Sequence, residues 1–218
     1  MKRAPPSLLL TGFEPFGDDP DNPSWDAVLQ LHGRRIAGHR IVARRLPVEF
    51  GVSLRTLRGA IRETRPALVL CVGLAGGRAQ LSLERVAINL DDARMPDNAG
   101  RRPVDAPVIA GGPAAYFSTL PLKAMLLALR AAGIPAEVSH SAGTYVCNHV
   151  FYGLMHALRS RPSVRGGFVH IPYAPGQAAR HPGAPSLATG TVVEGLALAL
   201  RTALKTSADA RFAAGAEH

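Results

Sequence analysis

The chain has 218 residues, 47% of them hydrophobic and 19% charged, with a formal net charge of +9. These proportions exclude a disordered, collagenous or coiled-coil chain and suit one globular domain over 1–218 with a full hydrophobic core. No apolar run reaches the length of about 18 residues that a membrane helix needs, and Leu8, Leu9 and Leu10 after Lys2 and Arg3 are too short for a secretion signal, so a cytoplasmic location with no membrane partner is expected.

In chain order, Ser7 to Gly12 reads as a first strand. A proline-rich loop from Pro15 to Pro23 leads to Ser24, a candidate N-cap for a helix from Trp25 to Leu31 that Gly33 ends. Ile41 to Pro47 is a second strand. Phe50 to Arg65 has helical spacing at Val52, Leu54, Leu57 and Ile61, and Pro66 closes it before the near-continuous apolar run Ala67 to Val72, the pattern of a central strand. Leu81 to Leu90 alternates as a strand. The density of Pro, Gly, Asp and Asn from Asp91 to Ser118 indicates a long ordered loop. Pro121 sits at a helix N1 position, and that helix runs to Ala132, followed by a strand from Ala136 to Ser141 and a helix from Val146 to Arg159. Gly166 to Tyr173 is the last strand. A loop from Ala174 to Gly190 precedes a final helix, Thr191 to Leu204, and the tail over 206–218 is expected to fray. Strands alternating with helices make an α/β fold with helices on both faces of a sheet.

The positive charge alone does not indicate a nucleic-acid partner. Lysine occurs only at Lys2, Lys123 and Lys205; the arginines are single or paired, no basic run reaches about five residues, and no aromatics interleave with them, so no nucleic-acid partner is expected. No cluster with metal-ligand spacing appears. Gly73-Leu74-Ala75-Gly76-Gly77-Arg78 lacks the phosphate-loop patterns and reads as a turn that brings backbone close to a small ligand, with Arg78 free for a structural or anionic contact.

The chemistry-bearing candidates lie in separate segments. Cys147 stands where a strand turns through Ala142-Gly143 into a helix. A thiol in the first helical turn meets unpaired N–H groups and the positive end of the helix dipole, which favour the thiolate; the alternative is a small core hydrophobe beside Phe151 and Leu154. Of the eight histidines, His149 points to another helix face and His156 lies more than two turns away, whereas His170 ends a strand where ligands of α/β sheets sit. Glu84 is an acid inside an apolar strand: it either orients a catalytic imidazole or pairs with Arg85. Asp91, Asp92 and Asp97 are the other acids considered. Cys71, within the central strand, is expected to be inert.

Taken together, Thr11-Gly12-Phe13-Glu14-Pro15-Phe16-Gly17 with Asn22-Pro23-Ser24-Trp25, Gly73 to Asn89, Ser139 to Asn148 and Val169-His170-Ile171-Pro172-Tyr173 resemble, in order and spacing, the motifs of the pyroglutamyl peptidase I (pyrrolidone carboxyl peptidase) family of cysteine peptidases. The resemblance covers nearly the whole chain. It implies a three-layer α/β/α sandwich around a twisted, mostly parallel open sheet, hydrolysis of N-terminal pyroglutamyl residues from peptides, and a catalytic triad of Cys147, His170 and Glu84. It also implies that Phe13 and Phe16 sandwich the lactam ring, that Arg94 lies near the cysteine, and that Leu74, Tyr145 and Val146 complete the substrate site. No metal or cofactor and a homotetrameric assembly are implied as well. The chain departs from the family at Leu74, where many members carry Gln, so that only a backbone contact is expected there, and at Gly176, which replaces a commoner Glu and reads as loop variation.

Overall fold

The computed structural model describes residues 5–215. Its elements run β1 (Ser7–Phe13), α1 (Pro23–Leu31), β2 (Arg35–Ile36), β3 (His39–Leu46), α2 (Val52–Thr64), β4 (Leu68–Leu74), β5 (Leu81–Glu84), β6 (Val86–Ile88) and β7 (Ala115–Phe117). They continue with α3 (Leu122–Ala131), β8 (Ala136–Ser139), α4 (Val146–Leu158), β9 (Arg165–Ile171), α5 (Pro175–Ala178) and α6 (Thr189–Lys205). The main sheet has 7 strands in the order β2-β3-β1-β4-β9-β5-β8. Only β2 on β3 and β5 on β9 are antiparallel, so the sheet is mostly parallel, as expected.

Side chains of a strand alternate between its faces, and here both faces are apolar because both are covered. Leu8, Leu10, Leu68, Leu70 and Val72 pack under α1, α3 and α6. Leu9, Val69, Cys71 and Phe168 pack under α2 and α4 on the opposite face. The result is three layers. β4, buried along its full length, occupies the central place that its unbroken apolar run predicts.

Several local expectations are corrected. The cap of α1 is Asn22 rather than Ser24: Asn22 Oδ1 accepts from the Ser24 N–H at 3.0 Å, while the Ser24 hydroxyl accepts from the Phe13 N–H at 3.0 Å and donates back to Asn22 at 2.7 Å. Pro121 is the N-cap of α3, not its first helical residue.

The predicted strand from Leu81 to Leu90 divides at Arg85. β5 stays in the main sheet, but β6 leaves it to pair with β7, a strand inside the segment read as loop. Asn148 of α4 explains the departure: its amide accepts from the Ile88 N–H and donates to the carbonyls of Ile88 and Leu90, standing in for a neighbouring strand. The short elements β2 and α5 were not predicted. Of the tail over 206–218, residues 216–218 lie outside the described residues; in the described part Asp209 accepts from the N–H groups of Lys123 and Ala124 at the start of α3, and Phe212 packs on the core.

Candidate active site

β1, β4 and β9 all point their C-terminal ends at one cavity of about 430 Å³, lined by Phe13, Leu74 and His170 from those strands and by Cys147 from α4. The parallel order β1-β4-β9 makes this the carboxyl edge of the sheet, where open α/β folds place ligands. α4 begins at Val146 after an extended Tyr145, so Cys147 is in its first turn, where the leading N–H groups have no intrahelical partner. The sulfur lies over β4, where glycine makes room for it: a Cβ on Gly73 would stand 2.8 Å from Sγ and 2.8 Å from the Phe168 ring.

Sheet register explains how Glu84 reaches His170. β5 runs antiparallel to β9, with Glu84 opposite Phe168 and Ser82 opposite His170, so the carboxylate and the imidazole are diagonal neighbours on one face. His170 Nδ1 stands 2.7 Å from Glu84 Oε1. Glu84 is fully buried and His170 is 4% exposed. The carboxylate is the acceptor, which puts the ring proton on Nδ1 and leaves Nε2 free. Glu84 does not pair with Arg85; its cation is Arg78, whose Nη1 donates to the same Oε1 at 2.7 Å. Burial pushes the Glu84 carboxyl up, but the hydrogen bond and charge of His170, the Ser139 hydroxyl and the Arg78 guanidinium outweigh it and hold it below its ordinary value.

The expected low thiol pKa is not found. Burial pushes the Cys147 thiol up to about 12, with Glu84 and Cys71 adding to the shift and Arg78 opposing it. Cys71 is fully buried and its thiol is also pushed up to about 12, by burial, with a Thr11 hydrogen bond opposing.

The remaining expected residues fall around the same cavity. Phe13 is buried against Phe168, with ring centroids 6.4 Å apart, and Phe16 stands 6.3 Å from Tyr145. Leu74, Val146 and Tyr145 line the wall, and Arg94 lines it from an exposed position. The Tyr145 hydroxyl donates to the Pro96 carbonyl at 3.0 Å; its pKa is pushed up to about 12 by burial, then by Asp97 and Cys147.

The other candidates are engaged elsewhere. His149 Nδ1 meets Asp91 at 2.7 Å while its Nε2 accepts from the Gly51 N–H, and His156 bonds Tyr116. Asp97 accepts from the N–H groups of Phe50, Ala99 and Arg101. Asp92 is tied through its backbone to Thr144.

Asn22, Val48 and Ala142 also line the cavity and were not singled out from the sequence. Asn22 caps α1, and its place at the cavity comes from the turn after β1. The glycine-rich turn lines the cavity and makes room for the protein's own side chains: a Cβ on Gly76 would stand 2.5 Å from the Tyr173 hydroxyl.

A family model described as pyroglutamyl peptidase matches residues 7–206. The pyrrolidone-carboxylate peptidase of Cupriavidus necator is 60% identical over 97% of this chain and 99% of its own, and that of Klebsiella pneumoniae is 58% identical over 97% and 99%. Among solved structures, pyroglutamyl peptidase I from Bacillus amyloliquefaciens superposes with a TM-score of 0.93 at 47% identity, covering 96% of this chain and 100% of the other. The pyrrolidone carboxyl peptidase of Thermococcus litoralis gives 0.91 at 34% identity, over 95% and 99%.

Proposed function

Because the chain belongs to the pyroglutamyl peptidase family of cysteine peptidases, we propose that it hydrolyses the amide bond after an N-terminal pyroglutamyl residue, with Cys147 as nucleophile, His170 as base and acid, and Glu84 as the group that orients and charges the imidazole. The observation that carries this reading is the hydrogen bond from His170 to a buried Glu84 at the edge of a cavity that also holds Cys147.

On substrate binding, His170 Nε2 takes the thiol proton as Sγ attacks the carbonyl carbon. Glu84 stabilises the imidazolium. The leading N–H groups of α4 hold the oxyanion of the tetrahedral intermediate. The C–N bond breaks, the amine leaves with the His170 proton, and a thioester joins pyroglutamate to Cys147. Water then gives a proton to His170 and attacks the thioester; the thiol is restored as pyroglutamate departs.

The lactam is flat and uncharged, and Phe13 and Phe16 supply aromatic faces for it, with the Leu74 backbone, Arg94, Tyr145 and Val146 completing its surroundings. The scheme uses no metal or cofactor. The working form is a cytoplasmic homotetramer acting on peptides, with neither nucleic acid nor membrane as partner.

The test is release of fluorophore from a pyroglutamyl-aminocoumarin substrate in reductant, beside a prolyl substrate and Cys147→Ser. Turnover is expected for the pyroglutamyl substrate alone, and the variant is expected to keep the fold but lose activity. Full activity in Cys147→Ser removes that residue from the reaction. A folded, reduced wild type without turnover overturns the substrate assignment and directs attention to the wall around Leu74.

A further inference from the structure

Arg78 makes a set of contacts that the scheme above does not use. Its Nη1 donates to Glu84 Oε1 at 2.7 Å, the oxygen that also takes the His170 bond at 2.7 Å. The same guanidinium reaches the Ser139 hydroxyl at 3.3 Å and the Ser141 carbonyl at 3.0 Å. Ser139 ends β8 and Ser141 lies in the turn that delivers the chain to Cys147 at the start of α4. One planar fork therefore ties the carboxylate behind the base to the turn before the nucleophile. A lysine has the charge but not the geometry for all of these bonds.

We propose that Arg78 is a positioning residue for the reaction: it holds Glu84 and His170 in register with the turn that carries Cys147, and it shares Glu84 Oε1 so that the imidazole can release the proton it takes. The proposal rests on the Cys147, His170 and Glu84 assignment above. An acceptor that serves two donors is polarised less fully toward either, so Arg78 limits how tightly the Glu84–His170 pair keeps its proton. That matters because His170 must give the proton to the leaving amine within the same turnover. The titratable and charged groups around the His170 ring are Glu84 from β5, Arg78 from the turn after β4 and Cys147 from α4, with Arg94 and Tyr145 lining the same cavity.

The experiment compares wild type, Arg78→Met and Arg78→Lys by kcat and KM across pH on the pyroglutamyl-aminocoumarin substrate, with melting temperatures alongside. In Arg78→Met, kcat is expected to fall roughly ten- to a hundredfold, a part of what a positioned base contributes, with KM within about twofold. Its acidic limb is expected to move to higher pH, because the Glu84–His170 pair no longer shares its oxygen with a cation. Arg78→Lys is expected to bring the limb back toward wild type while recovering kcat only in part, since the bonds to the turn are not restored. If Arg78→Met does not fold, Arg78→Gln takes its place.

Unchanged kcat and an unshifted limb in a folded variant overturn the proposal. So does a loss of kcat that is equal in the lysine and methionine variants, follows their melting temperatures and leaves the limb in place, which marks a purely structural contact. Failure of the underlying assignment reads differently: turnover would survive Cys147→Ser in a chain that keeps Arg78.

Discussion

Glu84 shows how much of a residue's meaning depends on its surroundings. A carboxylate within an apolar strand is costly unless paired, and here the pairing is double, to His170 and Arg78. A carboxyl held below its ordinary value stabilises the fold above that value, and the stabilisation is lost as pH falls through the depressed one. Glu84→Gln is therefore expected to melt below wild type at neutral pH, with the gap closing in acid below the ordinary carboxylate range. Thermal melts across pH measure this, and a gap that persists unchanged into acid contradicts it. The oddity of Glu84 was legible in the sequence. Its partner was not, because Arg85 is adjacent in the chain whereas Arg78 reaches the same oxygen through the turn between β4 and β5.

Among the elements, β1 and α1 are joined more tightly than their patterns reveal. A Cβ on Gly12 would stand 2.6 Å from the Ser24 carbonyl oxygen and 2.6 Å from Trp25 Cα, and backbone cannot move aside as the tip of a side chain can. Gly12→Ala is expected to cost about 3 kcal/mol, the upper end for overpacking, and to lower activity as well, because Phe13 follows directly and its N–H is held by Ser24. Denaturant unfolding measures the loss, and wild-type stability in the variant would show that α1 shifts freely. The long helices matched their patterns because each buries one consistent stripe, and the central strands because both of their faces are covered. The strand from Leu81 to Leu90 did not, since its second half pairs with β7 and with the amide of Asn148, contacts that alternation cannot encode.

For the whole molecule, the proposed homotetramer is tested by sedimentation equilibrium, which is expected to give four times the mass of the single chain; a monomer at all concentrations rejects it. Part of the formal charge of +9 is engaged inside the fold, where Arg78 donates to the Glu84 carboxylate and Arg101 and Arg102 donate to backbone carbonyls. Sequence by itself determined the α/β class, the central place of β4 and many of the residues around the cavity, though not Asn22, Val48 or Ala142, because burial on both faces imposes apolar runs and because the motif glycines and aromatics resemble one family over nearly the whole chain. Only the tertiary structure decided which acid meets His170, that Arg78 shares it, and that the Cys147 thiol lies well above its ordinary value. Those depend on antiparallel register between strands far apart in the chain and on removal from water, and neither is written in local spacing.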